Sequence, residues 1–232
     1  MVPIGDWNPS RTRPIVNYAL LALNVAAFVL QWWLTLSGGE AWVIPGYGLV
    51  ASRFFADPAG EAFTVLTSMF MHGGWAHLGF NMLFLYIFGD NVEDALGHRR
   101  YLLFYLSAGA VAAFAQLMVD TASPVPLVGA SGAIAGVLGA YLVLYPTAPI
   151  VVFFGLLIEL PAWVVAGEFF VMNLFGGIQS LSATRQGGVA FFAHLGGFVA
   201  GLLLIRPLLA GRQRIEHRRW RGFRAPARRF SR

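Results

Sequence analysis

Ser131, within Gly129-Ala130-Ser131-Gly132, and His194, within Ala193-His194-Leu195-Gly196-Gly197, are the two side chains of this sequence best suited to act as a nucleophile and its base. A serine hydroxyl is a weak nucleophile until an imidazole within hydrogen-bond reach can take its proton, and that pairing is the working unit of acyl transfer. Two more polar residues, His77 and Asn81, stand four apart and so share one face of a helix. The chain has no cysteine, which removes thiolate nucleophiles, thiolate metal sites and disulfides. Any chemistry must come from serine, histidine, acids or amides.

The elements that must position these residues are membrane helices. A 232-residue chain that is 57% hydrophobic and 12% charged cannot hide its apolar residues inside one water-soluble core. Its mean hydropathy of +0.65 points the same way. Candidate spans are residues 15–36, 75–89, 101–119, 132–145, 161–181 and 189–209. The first is expected to be retained as a helix, because it is too long for a secretory signal and no small-residue cleavage site follows it. The fold class is therefore an all-α membrane protein, a six-transmembrane-helix bundle with a short central fourth helix. Residues 1–14 form an N-terminal segment, 15–209 the domain, and 210–232 a basic tail. The connection 37–74, rich in Gly, Pro and aromatics, is expected to be a partly folded, membrane-associated first loop.

All sixteen basic residues are arginines, and fourteen fall on the side of the two termini, against Arg53 and Arg185 opposite. The bias puts both termini in the cytoplasm, with a bacterial cytoplasmic membrane as the expected location. It also explains the net charge of +5 without nucleic acid, the tail being read as an anchor on anionic membrane lipid. With that orientation His77, Asn81, Ser131 and His194 all lie towards the outer leaflet. The fourth span, 132–145, has 14 residues, roughly 21 Å of helix against about 30 Å of hydrocarbon. Ser131 is then roughly 9 Å below the outer surface, at the foot of a descending Pro124, Pro126 and Gly129 segment. Gly132 and Gly136 on the fourth span, and Gly197 and Gly201 on the sixth, form small-residue stripes below Ser131 and His194. Packing these stripes together would bring hydroxyl and imidazole into contact.

From about Thr67 to Gly201 the sequence resembles the rhomboid family. His72, His77 and Asn81 stand in that family's His-x4-His-x3-Asn arrangement, Gly129 to Gly132 match its Gly-x-Ser-Gly, and Ala193-His194 with Gly197 and Gly201 match its last-helix signature. Glu93 and Gly97 look like its acidic-to-glycine pattern. The resemblance implies that Ser131 attacks, that His194 takes its proton, and that the Ser131 amide, His77 and Asn81 form an oxyanion hole. An unpaired amide at a helix N-terminus suits that task. His72 and Gly129 are possible supporting residues. The implied function is an intramembrane serine endopeptidase acting on transmembrane protein substrates near their outer ends, with a preference for small residues at the cleaved position and no cofactor. Two departures stand out: Phe63-Thr64-Val65 occupies the place of a Trp-Arg pair in the first loop, and Ala135 stands where some relatives carry an aromatic ring against the histidine.

Other readings remain open on the sequence alone. Ser131 could be a helix cap, though it lacks the Gly-x-Ser-x-Gly elbow of soluble hydrolases because Ala133 holds the second glycine position and no strand is expected before it. His77 and Asn81 could be an interhelical hydrogen bond, and His72 a structural contact to the first loop. His72, His77 and His194 as metal ligands are disfavoured by spacing and by the lack of a nearby carboxylate. Glu168 is expected near mid-depth, in a protonated or hydrogen-bonded structural role rather than as a third catalytic member. His98 and His217 read as solvated interface residues. At the level of function, a catalytically silent client-binding protein of the same fold and a small transporter are the alternatives. A transporter would want a midplane site and inverted repeats, and neither is visible.

Overall fold

The computed structural model describes residues 1–39, 42–182 and 189–211. Arg185, His217 and nearly all of the basic tail lie outside the described residues. The helix α1 (Ile15–Leu34) is followed by three short helices of the first loop, α2 (Val43–Tyr47), α3 (Ala51–Ala56) and α4 (Pro58–Thr67). Five long helices complete the bundle: α5 (Trp75–Leu96), α6 (His98–Leu117), α7 (Ser131–Leu144), α8 (Ala162–Ser182) and α9 (Phe191–Leu209). The six long helices occupy the places of the six expected spans. Among the described residues four are by themselves long and apolar enough to cross a membrane, those beginning at Ile15, His98, Ala162 and Phe191. The other two differ for visible reasons: α7 has 14 residues, and α5 runs on past Gly89 through Asp90, Glu93 and Asp94.

α7 is the central helix. Every residue from Gly132 to Tyr141 is buried, whereas α1 and α8 leave Leu23, Val29, Trp33, Val171 and Phe175 exposed. Apolar side chains presented outward along whole helices are what a lipid environment accepts and water does not. The small residues that permit the central packing serve three helices rather than two. A Cβ on Gly197 or Gly201 would collide with the backbone carbonyl oxygens of Gly132 and Gly136, so α9 lies directly on the α7 backbone. Gly132 and Gly136 themselves turn towards α6, where a Cβ would meet those of Ala112 and Ala108 at 2.6 Å.

Glu93, fully buried, accounts for the extra length of α5. Its carboxylate accepts the Val16 and Asn17 amides at 2.9 and 2.7 Å, which satisfies the open N-terminus of α1 with a negative charge where the helix dipole favours one. Asn17 in turn donates to the Leu85 carbonyl and accepts from the Tyr101 hydroxyl. His98, expected to be merely solvated, is half exposed and bonds Glu93 Oε1 through Nδ1 at 2.5 Å. Gly97 turns the chain between α5 and α6 at φ +73°.

Two small sheets lie outside the long helices, where no strands were expected. β1 (Val2–Asp6) pairs antiparallel with β4 (Pro149–Phe153), which pairs with β5 (Leu157–Pro161) in the connection from α7 to α8. The Tyr141 hydroxyl donates to Asp6 at 2.5 Å, joining this sheet to the end of α7. Burial pushes the Asp6 carboxyl up to about 7 against the opposing effect of that hydrogen bond. The second sheet pairs β2 (Leu49–Val50) with β3 (Pro126–Leu127), so a two-residue strand does precede Ser131 and corrects the reading that none would. This pairing and other bonds anchor the first loop without a Trp-Arg pair. Arg53 bonds Glu61 at 3.1 Å and the Gly48 carbonyl, Thr67 Oγ1 donates to the Tyr47 carbonyl, and the Gly129 amide donates to the Ser68 carbonyl. The loop is folded, with Trp42, Tyr47, Phe55 and Phe63 exposed on it.

Candidate active site

Ser131 is the first residue of α7 and His194 lies in the first turn of α9. The α7–α9 backbone contact brings Ser131 Oγ to 2.7 Å from His194 Nε2. The other imidazole nitrogen, Nδ1, is 2.7 Å from Asn173 Oδ1 on α8. Asn173 Nδ2 is already committed to the Phe169 carbonyl at 2.8 Å, one turn back along the same helix, so the carboxamide presents its oxygen to the ring. This network assigns the proton to Nδ1 and leaves Nε2 as acceptor for the serine hydroxyl, the tautomer a general base requires. The Phe169 ring lies 5.9 Å from the imidazole, tilted by 42°. It supplies from α8 the aromatic contact that Ala135 does not supply from α7.

His77 approaches from α5. Gly129, at φ +129°, runs so close beneath it that an added Cβ would fall 2.9 Å from His77 Cε1 and Nε2 and 3.5 Å from Ser131 Oγ. Glycine is needed there twice over, for its conformation and for the room it leaves. The Gly73 amide donates to His77 Nδ1 at 3.3 Å, so its proton sits on Nε2, the atom facing Gly129. The two histidines are thus held in opposite tautomers: His194 ready to accept, His77 ready to donate. Asn81 lies one turn further along the His77 face, buried, with no protein acceptor for Nδ2. His72 is fully buried beside His77, their ring centroids 5.2 Å apart, and its ring has only a loose approach to the Phe70 backbone for a polar neighbour. Its backbone is clamped by Gln31 of α1 through bonds of 2.6 and 3.0 Å, so the link to the rest of the fold runs through the main chain. A cleft of about 20 Å³ bounded by Ser131, Gly132, Ala112 and Ala193 has room for one water.

Glu168 stands apart from this constellation. It is a third of the way along α8 and accepts a hydrogen bond from the Met1 ammonium at 2.9 Å. It has the hydrogen-bonded role expected of it. Asp120 accepts the Ala122 amide in an exposed turn. Neither is the partner of His194. Asn173, Phe169 and Gly73 were not singled out from the sequence. Only Asn173 carried a usable signal, as a carboxamide inside an apolar span.

Fold and site together define a multi-pass helical membrane protein with a serine–histidine pair at one end of its bundle. The model of the Rhomboid domain matches residues 59–211, and the chain belongs to the rhomboid family. It is 38% identical over 132 residues to Rhomboid protease GluP of Bacillus subtilis, covering 56% of this chain and 24% of that protein. It is 31% identical over 195 residues to Rhomboid protein 1, mitochondrial, of Saccharomyces cerevisiae, covering 80% and 51%. The human Presenilin-associated rhomboid-like protein, mitochondrial, is 28% identical over 195 residues, covering 74% and 49%. The chain therefore spans about half or less of the length of these relatives. Since they include mitochondrial proteins, they do not favour the expected bacterial membrane.

Proposed function

We propose that the protein is an intramembrane serine endopeptidase that hydrolyses peptide bonds in transmembrane segments of other membrane proteins. The observation that carries this reading is the 2.7 Å contact between Ser131 Oγ and His194 Nε2, with Nδ1 engaged on its far side. In the reaction Ser131 Oγ attacks the scissile carbonyl carbon as its proton passes to His194 Nε2. The tetrahedral oxyanion is met by the Ser131 amide, His77 Nε2–H and Asn81 Nδ2–H, donors fixed before the charge develops. The imidazolium then protonates the departing amine, leaving an acyl-serine. A water activated by His194 attacks the ester, the carboxylate product leaves, and Ser131 regains its proton. The small residues around the cleft beside Ser131 favour a small side chain at the cleaved position. The substrate helix must unwind locally, because the carbonyl of an intact helix is already hydrogen-bonded.

The arginine bias supports an orientation with the ends of the chain on the cytoplasmic or matrix side and the site towards the opposite leaflet. The partners are then transmembrane proteins and lipid, with no nucleic acid. Reconstituted protein should cut a reporter with one transmembrane helix near that leaflet, and Ser131→Ala should not. An uncut reporter that nevertheless co-purifies with wild-type protein would favour the catalytically silent client-binding reading.

A further inference from the structure

We propose that Asn173 is the positioning residue of the Ser131–His194 pair, an uncharged counterpart of the acid in soluble serine proteases. The inference rests on the protease reading. Three observations carry it. Asn173 Oδ1 is 2.7 Å from the imidazole nitrogen not used by Ser131. Its own orientation is locked by the bond from Nδ2 to the Phe169 carbonyl, so the oxygen cannot exchange places with the amide nitrogen without breaking that bond. It is also buried, 7% exposed, which limits competition from water for the imidazole N–H.

The choice of an amide over an acid has a physical reason. A carboxylate at this place would be a buried charge beside a neutral resting imidazole, with no arginine bonded to it among the described residues, and its burial would be costly. A carboxamide oxygen accepts the same hydrogen bond and selects the same tautomer without that cost. It stabilises the imidazolium less than a carboxylate would, so the pair gains orientation more than basicity. Because Phe169 and Asn173 sit one turn apart on α8, that helix alone supplies both the hydrogen bond and the ring that hold His194. His194 is therefore correctly aligned only while α8 is seated against α9.

A purely structural Asn173, serving as glue between α8 and α9, would affect stability and leave the chemical step untouched. The discriminating experiment measures kcat, KM and Tm with one transmembrane reporter for wild type, Asn173→Leu, Asn173→Ala and Asn173→Asp. Leu keeps the volume and loses the acceptor, Ala tests the same loss if Leu does not fold, and Asp restores an acceptor in either protonation state. The expected result is a fall in kcat of about 100-fold in Leu and Ala with KM unchanged, and recovery in Asp to within about tenfold of wild type. Leu or Ala turning over within about threefold of wild type, or Asp no better than a folded Leu or Ala, would overturn the assignment while leaving the protease reading intact. A folded wild-type protein that cleaves nothing would instead remove the protease reading, and this assignment with it.

Discussion

α5 carries a polar centre near each end, and the two are built on opposite plans. At Glu93 both carboxylate oxygens are used, and the network runs on through Asn17 to Tyr101 and Leu85. At His77 and Asn81, the Asn81 amide nitrogen is buried with no protein partner. A buried polar group left unpaired lowers stability; Asn91 Oδ1 is another such group, and what sets the Asn81 donor apart is its place on the His77 face of α5. The first centre joins α1, α5 and α6 and is finished when the chain folds. On the proposed mechanism the second is completed by the oxyanion of the reaction. On that mechanism stability and catalysis are separated along one helix, and substitutions at the two ends should separate them experimentally.

The largest effects belong to the Ser131–His194 pair beside the open centre. Ser131→Ala and His194→Ala should each lower cleavage of a transmembrane reporter by at least about 1,000-fold with Tm unchanged, because the pair acts as one unit. Next come substitutions that disturb both properties. Gly201→Leu drives a side chain into the Gly136 carbonyl and should lower both Tm and turnover, whereas a variant that retained both would show that α9 is not seated on α7. Asn81→Ala should cost about 10- to 1,000-fold in kcat, measured with substrate saturating, and leave Tm unchanged, since it removes one of several oxyanion donors and breaks no bond in the resting protein. Glu93→Ala should do the reverse. It exposes the α1 amides and should destabilise by about 3 kcal/mol in denaturant titrations while the folded fraction keeps its kcat. If Asn81→Ala lost stability and Glu93→Ala lost kcat, the division would be refuted.

The smallest effect concerns Asp6. Its folded carboxyl titrates at about 7, above the ordinary 3.8, so the folded state binds the proton more tightly. The stability this contributes is complete below about pH 4 and is lost as pH rises through about 7. Asp6→Asn should flatten that part of the Tm–pH curve without changing kcat.

Much of the site was legible because polar side chains are rare in apolar spans and each one there is conspicuous. Ser131, His194, His77 and Asn81 stood out for that reason, and the glycine stripes foretold the close α7–α9 approach. Asn173 and Phe169 were hidden because their role depends on the rotation of α8 against α9, which periodicity does not specify. Glu168, five positions before Asn173 in the same helix, is the more conspicuous polar residue because it is charged. Gly73 acts through its backbone, which side-chain chemistry cannot reveal. The β1–β4–β5 sheet was missed because Ile150, Val151 and Val152 lie between two apolar spans, and their partner strand is at the far end of the sequence. The length of α5 was underestimated because Asp90, Glu93 and Asp94 look like the end of a span. Glu93 instead turns inward, to α1.

The central claim is that Ser131 is an activated nucleophile, and covalent labelling tests it most directly. Detergent-solubilised wild-type protein should react with a fluorophosphonate probe, and peptide mass analysis should place the adduct on Ser131. Ser131→Ala and His194→Ala should remain unlabelled while folded. Absence of an adduct on folded wild-type protein, or equal labelling of His194→Ala, would contradict the account.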